Sequence, residues 1–384
     1  MDNSSHAIRT RVNTTPPVQK TMIWDLPLRL FHWSMVCVVV VAGVTGFLTP
    51  AWWFDVHFIA GYALAVLLTF RLVWGFIGSY YSKFGSFPLS SDGVVTHLRS
   101  ILHKKSPVYT GHNPLGAVMI VVLLVGLVSL VVTGLIALGG QEKLGPLAFM
   151  TTYDIGHIAE KIHKFAAWIV VGAIAIHLLG VFVETRVFHH RVIPAMITGK
   201  KVTTETTQPF RGRAYAVLGA GLFLAITAVL IMGGAVLANK PPSGWRPVPF
   251  PAVYAQECGD CHVVYHPGLR NARAWQAIMS GLSNHYGEDA SLDKETTDII
   301  KTFLNANNAE TFDTEVAHRV GRDETASFRM TDTRYWKKQH RHIDDSVFRL
   351  RTVGSKVNCN ACHKDAASGR FDDAKIHIPT GDKS

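Results

Sequence analysis

Charged side chains are scarce in the first 238 of the 384 residues. This part contains 18 Lys and Arg and nine Asp and Glu, and it has no charge between Leu30 and Phe54. An apolar run of that length can cross a bilayer. The remainder has 20 Lys and Arg against 19 Asp and Glu, so the excess positive charge lies in the apolar part. Because the polar part has no basic excess, we expect no nucleic acid partner.

Cysteine is also rare, with five residues in the chain. Cys37 stands alone in the first apolar run, and we assign it no role because such a residue is usually a small buried hydrophobe. The other four form two C-x-x-C pairs in the polar part. Apart from this twice-used motif, the sequence has no internal repeat.

Five apolar segments predict five membrane helices. They cover about residues 30–48, 56–76, 114–138, 160–184 and 214–238. The first is too long for a cleavable signal peptide and carries His32 and Trp33. The fifth ends in Val236-Leu237-Ala238 after Arg211 and Arg213, which also fits a signal peptide cleaved after Ala238. Its length favours an uncut anchor, and the Pro-rich sequence after it predicts a linker.

Basic residues predict the orientation of these helices. The N-terminus and the segments after the second and fourth helices hold 14 Lys and Arg, whereas the segments after the first and third hold Lys143 and Lys161. By the positive-inside rule the N-terminus is cytoplasmic. The sequence after the fifth helix is then in a bacterial periplasm, and the protein is a multi-pass protein of the inner membrane.

Four histidines stand near the ends of the predicted membrane helices. His163 and His177 are 14 residues apart on the fourth helix, which places both rings on nearly one face about 21 Å apart. Histidine inside a membrane is costly and usually functional. With the orientation above, His32 has the depth of His177, and His57 has the depth of His163. We therefore predict two b haems, held by His32 and His177 on the cytoplasmic side and by His57 and His163 on the periplasmic side.

The other histidines of the apolar part lie in loops or at interfaces, where we expect solvated surface positions. They are His97, His103, His112, His157, His189 and His190.

The polar part contains C-x-x-C-H twice, the attachment motif of c-type haem, in which two thiols bind the macrocycle and the histidine binds iron. The motifs are Cys258-Gly259-Asp260-Cys261-His262 and Cys359-Asn360-Ala361-Cys362-His363. Zinc is the weaker alternative because the pairs lie about 100 residues apart, longer than usual zinc spacings. A thioredoxin-like motif would have no such histidine. Spacing leaves the distal ligands open among His266, His285, His318, His340, His342, His377, Met279 and Met330.

Residues 21–201 resemble the prokaryotic cytochrome b561 family, which is related to the cytochrome b subunit of nickel-iron hydrogenases. The resemblance rests on His32-Trp33, His57, FRLVWGFIGSYYSKF, NPLGA and the two histidines of the fourth helix. It implies two b haems with the ligand pairs given above.

Residues from about 254 to 380 resemble the dihaem cytochrome c family through ECGDCHVVYHPGL, ARAWQAIMSGLSNHYGEDASL, the Gln339-His340 stretch, CNACH and GRFDD. This second resemblance implies two c haems with His285 and His340 as distal ligands. His342, two residues after His340, is the alternative for the second haem.

The expected fold is all-α. A cytoplasmic segment (1–20) precedes a four-helix dihaem b bundle (21–201), then a fifth membrane helix with its linker (202–253), then a mostly α periplasmic dihaem cytochrome c domain (254–384). We expect an electron-transfer protein, with no catalytic residue assigned, that links membrane quinone to a soluble periplasmic cytochrome or oxidoreductase. The alternatives are an enzyme, either a quinol dehydrogenase or a quinone reductase with its own substrate site, and a membrane subunit of a larger periplasmic oxidoreductase.

Overall fold

The computed structural model describes residues 19–105, 107–203, 212–324 and 328–380. Most of the predicted cytoplasmic segment, and Arg211, lie outside these ranges. Five helices in the described residues are long and apolar enough to cross a membrane, so the protein is an integral membrane protein. They are α1 (Leu26–Phe47), α2 (Phe54–Ile77), α4 (Pro114–Ala137), α5 (Tyr153–Arg186) and α7 (Gly212–Ala238).

The remaining elements are short. Between the membrane helices lie α3 (Ser91–Leu102) and α6 (Val192–Thr198), and strand β1 (Gln19–Met22) pairs antiparallel with β2 (Lys200–Thr203). The polar part contains α8 (Ala252–Glu257), α9 (Ala272–Ser280), α10 (Lys294–Ala306), α11 (Arg334–His340) and α12 (Asp345–Phe348). The predicted all-α class is confirmed, with one small ribbon that no alternating pattern in the sequence indicated.

Helix α5 begins at Tyr153, seven residues before the predicted position. Its 34 residues extend for about 51 Å at 1.5 Å per residue, well beyond the roughly 30 Å of a bilayer core. The extra first turns are polar, and Glu160 there pairs with His157 and Lys164. These ion pairs are suited to a part of the helix that projects out of the apolar layer.

The chain forms two compact units, and each long helix contributes to both. The first unit comprises residues 1–34, 69–123 and 172–223, as far as these are described. Its centre is Asp25, whose carboxylate is fully buried just before α1. The carboxylate accepts hydrogen bonds from the backbone N–H of Leu28, the Trp74 indole and the hydroxyls of Ser79 and Ser82. Asp25 thereby fixes the start of α1 to the end of α2.

The second unit comprises residues 35–68, 124–171 and 224–384. In it, α4 ends in a π-helical turn (Leu138–Glu142), and Lys143 follows with a positive φ of 55°. Gly140 lies against the backbone of Gly156, so that a Cβ at Gly140 would come within 2.6 Å of the Gly156 Cα atom. Glycine at both positions therefore lets the turn and the start of α5 meet backbone to backbone.

The polar part of this unit has its own core. Helices α9 and α10 present apolar faces to each other, and the buried cluster consists of Tyr254, Trp275, Met279, Ile300 and Leu304. Met279 lies in this cluster, so it is a core residue and not a candidate haem ligand.

The polar part also contacts the turn after α4 through Asp313. Its carboxylate accepts hydrogen bonds from Lys143 Nζ at 2.8 Å, the Tyr153 backbone N–H at 2.9 Å and His318 Nε2 at 2.9 Å. The Lys143 side chain is only 1% exposed. The polar part is therefore fixed to the end of the membrane helices at this point, and is more than a domain joined by a linker.

Candidate haem sites

The rings of His57 and His163 face each other in the second unit, with centroids 6.1 Å apart. His57 Nδ1 donates to the Ala42 carbonyl and His163 Nδ1 donates to the Leu130 carbonyl, each at 3.0 Å. Because a carbonyl only accepts, both hydrogens are on Nδ1 and both Nε2 atoms keep a lone pair. This is the arrangement of two imidazoles that bind one metal.

The neighbouring helices support the two rings in the same way. Thr45 Oγ1 on α1 lies 3.2 Å from His57 Nδ1, and Thr133 Oγ1 on α4 lies 3.2 Å from His163 Nδ1. The next residue is glycine in both helices, and a Cβ there would lie 3.1 Å and 3.2 Å from the ring Cε1 atoms. A Thr-Gly dipeptide therefore holds each ring, a similarity that the sequence analysis missed.

We expect Thr133→Val to raise the midpoint potential of the haem at this site by about 20–60 mV. The Thr133 hydroxyl already donates to the Ser129 carbonyl. Towards His163 it can therefore only accept from Nδ1–H, which makes the imidazole a stronger donor and favours ferric iron. A spectroscopic redox titration of the b haems measures the shift.

Thr133→Ser keeps the hydroxyl and is the matched control, for which we expect no shift. A lowered potential in Thr133→Val would contradict this account of the hydrogen bond.

His32 and His177 both belong to the first unit. His177 is close enough to His32 to interact with it electrostatically. His32 Nδ1 is buried and has no hydrogen-bond partner among the described residues. The pairing of these two histidines stays a prediction.

In the polar part, each C-x-x-C-H histidine faces a second histidine. His262 and His285 have ring centroids 6.2 Å apart, and His363 and His340 have ring centroids 6.1 Å apart. His262 Nδ1 donates to the Val263 carbonyl, and His340 Nδ1 donates to the Trp336 carbonyl, both at 2.8 Å. We call these groups, with their cysteines, the first c site (Cys258, Cys261, His262, His285) and the second c site (Cys359, Cys362, His363, His340).

The separation of the rings fits a six-coordinate iron. Two histidine nitrogens at roughly 2 Å from a metal on opposite sides require ring centroids roughly 6 Å apart. The three measured pairs have this separation, and Nδ1 of His363 is buried with no hydrogen-bond partner among the described residues. The donor sets therefore fit haem ligated by two histidines.

The other candidate distal ligands have different neighbours. His342 Nε2 accepts from Arg341 Nε, so this nitrogen is occupied, and His318 is bound to Asp313. His266 is buried between Phe250 and Phe312 and accepts from the Gly268 N–H. The geometry therefore favours His285 and His340.

The four motif cysteines form no disulfide with one another. Burial raises the pKa of Cys258 and of Cys359 to about 11, opposite to the lowered pKa of a thioredoxin-like nucleophile. No group of three or more His, Cys, Asp or Glu that could hold a metal ion occurs within the described ranges.

Comparison with known families finds a match for each of the two parts. Residues 23–199 match the family model of prokaryotic cytochrome b561, and residues 254–371 match that of dihaem cytochrome c. The chain is therefore similar to cytochrome b561 over its membrane part and to dihaem cytochrome c over its polar part. These families imply haem b and haem c as cofactors and support a role in membrane electron transfer.

Individual relatives cover one part of the chain each. A probable Ni/Fe-hydrogenase B-type cytochrome subunit of Azotobacter vinelandii is 28% identical over 46% of this chain and 86% of the relative, and one of Cupriavidus necator is 24% identical over 47% and 87%. A crystal structure of a dihaem cytochrome c from Rhodobacter sphaeroides is 31% identical over 32% of this chain and 99% of that one, with a TM-score of 0.26. The diheme cytochrome c of Shewanella baltica is 30% identical over 35% and 97%, with a TM-score of 0.28.

One cluster in the b561 part was not predicted. His97 is 1% exposed, and neither of its ring nitrogens has a hydrogen-bond partner among the described residues. Glu184 lies 3.9 Å from it, accepts from Asn113 and binds His190 Nδ1 at 2.6 Å. Our expectation of solvated surface for His97 and His190 is therefore wrong, because a carboxylate from α5 gathers both rings inside the protein.

Arg71, on α2, is also buried. It is 3% exposed, donates to the Ser82 carbonyl and lies over the Phe84 ring at 4.5 Å. These contacts give Arg71 a structural place in the Asp25 region.

Proposed function

We propose that this protein carries electrons across the bacterial inner membrane, between quinone and a soluble periplasmic partner. It would do so through two b haems and two covalently attached c haems. The observation that carries the proposal is the opposed histidine pairs, three of them with measured ring separations near 6 Å. Haem supplies reversible one-electron redox chemistry, while the protein supplies ligands, burial and orientation.

Ligation by two histidines at each site leaves iron with no open position, which suits electron transfer rather than binding of a small substrate. We therefore assign His32 with His177, His57 with His163, His262 with His285, and His363 with His340 as axial ligands. The thiols of Cys258, Cys261, Cys359 and Cys362 would form the covalent bonds to haem c. A purified protein with full haem content should bind carbon monoxide only weakly, and ready binding would contradict this ligation.

The His97 and Glu184 cluster supports quinone as the membrane reactant. Glu184 is seven residues after His177, which is two helical turns along the same face of α5. Oxidation of a quinol releases two electrons and two protons, so its site needs both a haem and groups that accept protons. Burial lowers the pKa of His97, and the neighbouring Glu184 carboxylate acts in the opposite direction, so that it favours a proton on the ring.

The test is reduction of the purified full chain in detergent by a short-chain quinol under anaerobic conditions. We expect the b-haem absorbance to change first and the c-haem absorbance to follow. If the quinol leaves all haems oxidised while dithionite reduces them, the link to quinone is wrong.

The hydrogenase subunits among the relatives support a second candidate, a membrane subunit of a larger oxidoreductase. In that case electrons reach the b haems from a partner protein instead of a quinol. Affinity purification of the chain from its native membrane distinguishes the two, because the second candidate requires a redox enzyme to co-purify in equal amount.

A further inference from the structure

We propose that the second c site is the neighbour of the His57/His163 site and that the first c site is the outer one. This inference rests on the proposed function, since it gives the order of the haems along the route. The order is opposite to the order along the chain, because Cys258 comes 20 residues after the end of α7 and Cys359 comes about 100 residues later.

The contacts between the membrane helices and the segment 368–377 carry the inference. Arg370 Nη2 donates to the Glu142 carbonyl at 2.8 Å, and the Asp373 backbone N–H donates to Glu142 Oε2 at 3.4 Å. Residues 373–375 pack against residues 51–53, which immediately precede α2. This segment therefore contacts two of the turns that connect the membrane helices, the one before α2 and the one after α4.

The same segment is joined to the second c site. The His377 N–H donates to the Cys362 carbonyl at 2.8 Å, and His363 forms a β-bridge with Ile376. The Phe371 ring lies 5.2 Å from the His363 ring. The proximal histidine of the second c site is thus held by the stretch of chain that touches the membrane helices.

On the membrane side, residues 51–53 lead directly to the His57/His163 site. Phe54 is the first residue of α2, and its ring lies 6.3 Å from the His57 ring. Two short segments, 51–57 and 363–376, therefore connect the His57/His163 site with the second c site.

The first c site has different neighbouring residues. Cys258 packs against the cluster of α9 and α10, and His262 stacks on Tyr265 with centroids 4.9 Å apart. Tyr265 Oη donates to the Val357 carbonyl at 3.0 Å, two residues before Cys359. Tyr265 therefore joins the first c site to the second, which makes the second c site the intermediate one.

Two matched variants of the full chain test the order. C359A/C362A removes covalent haem from the second c site, and C258A/C261A removes it from the first. After reduction of the b haems by a short-chain quinol, we expect the remaining c haem to be reduced about 100-fold more slowly in C359A/C362A, a loss typical of misplaced redox partners. In C258A/C261A the remaining c haem should be reduced at close to the wild-type rate.

The reverse pattern would overturn the inference. A quinol that leaves the b haems oxidised would instead contradict the quinone link, so the b-haem bands separate the two failures. Each variant must show a low-spin ferric spectrum of its remaining c haem and full reduction by dithionite, which establishes that the site is intact.

Hydrogen–deuterium exchange tests the contact without any haem removal or quinol. We expect slow exchange of residues 370–377 in the full chain, and faster exchange there in Arg370→Ala. Lys294→Ala is the matched control, since Lys294 is exposed on α10 and pairs with Asp298 on the same helix. Rapid exchange of 370–377 in the wild type, or no change in Arg370→Ala, would overturn the proposed contact.

Discussion

Replacing His163 with alanine should remove one of the two proposed b haems and slow electron transfer from the remaining b haem to the c haems. The ring centroids of His163 and His57 lie 6.1 Å apart. A b haem has no covalent bond to the protein, so the loss of one of its two ligands should weaken its retention enough for it to be lost on purification. The measurement is the haem content by pyridine haemochrome, which should show half the haem b and unchanged haem c. Reduction of the c haems by quinol should slow by about 100-fold or more, because an intermediate site is lost.

His57→Ala should reproduce this phenotype. His157→Ala is the matched control for His163→Ala, because both residues lie on α5. His157 pairs with Glu160 on the first turns of α5, so its loss should leave all haems in place. Full haem b content in His163→Ala would show that the ligand pair is wrong. Loss of haem c in that variant would show that the b and c sites do not assemble independently.

Asp313→Ala should loosen the contact between the polar part and the turn after α4. The Lys143 ammonium is 1% exposed and would be left without its carboxylate, and a buried charge without its partner costs about 3–5 kcal/mol. The Tyr153 N–H and His318 would also lose their acceptor. Hydrogen–deuterium exchange of residues 143–153 should therefore become faster in this variant.

Lys143→Met is the comparison variant, because it removes the ammonium and keeps the Asp313 carboxylate. Asp313 would keep the Tyr153 N–H and His318 as donors, so this variant should loosen the contact less than Asp313→Ala does. An equal or larger effect of Lys143→Met would mean that the ammonium, and not the carboxylate, organises the contact.

The pH dependence of this contact follows from the pKa of Asp313. Burial alone would raise it, but the hydrogen bonds from His318, Lys143 and the Tyr153 backbone outweigh burial and lower the pKa to about 2. A lowered pKa means that the carboxylate stabilises the folded state above its unfolded pKa of about 4 and loses this effect as the pH falls towards 2. The contribution of Asp313 should therefore be constant between pH 5 and 8, which exchange experiments at both values would check.

Sequence patterns predicted the features that depend on residues close together in the chain. Apolar length gave the five membrane helices, and the two C-x-x-C-H motifs marked the c sites. The choice of His285 and His340 required the resemblance to a family, because a distal ligand is placed by folding and not by spacing. The structure adds that His340 and not His342 faces His363.

The contacts that the sequence did not predict join residues far apart in the chain. Asp25 accepts hydrogen bonds from residues 74, 79 and 82, and Lys143 donates to Asp313, which lies 170 positions later in the chain. No periodicity marks such partners, since each is a single polar residue whose role depends on what folding brings beside it. The description of the c part as a tethered domain missed the Asp313 contact for this reason.

The segment 368–377 has a consequence for biogenesis. It follows the second C-x-x-C-H motif in the chain. With the polar part in the periplasm, as proposed, this segment would be exported after both motifs. Its connection to Glu142 and to residues 51–53 would then close only after both proposed haem-attachment positions have been exported. A chain that is cleaved between Cys261 and Cys359 would lack this connection, so its proposed b haems would not pass electrons along this route.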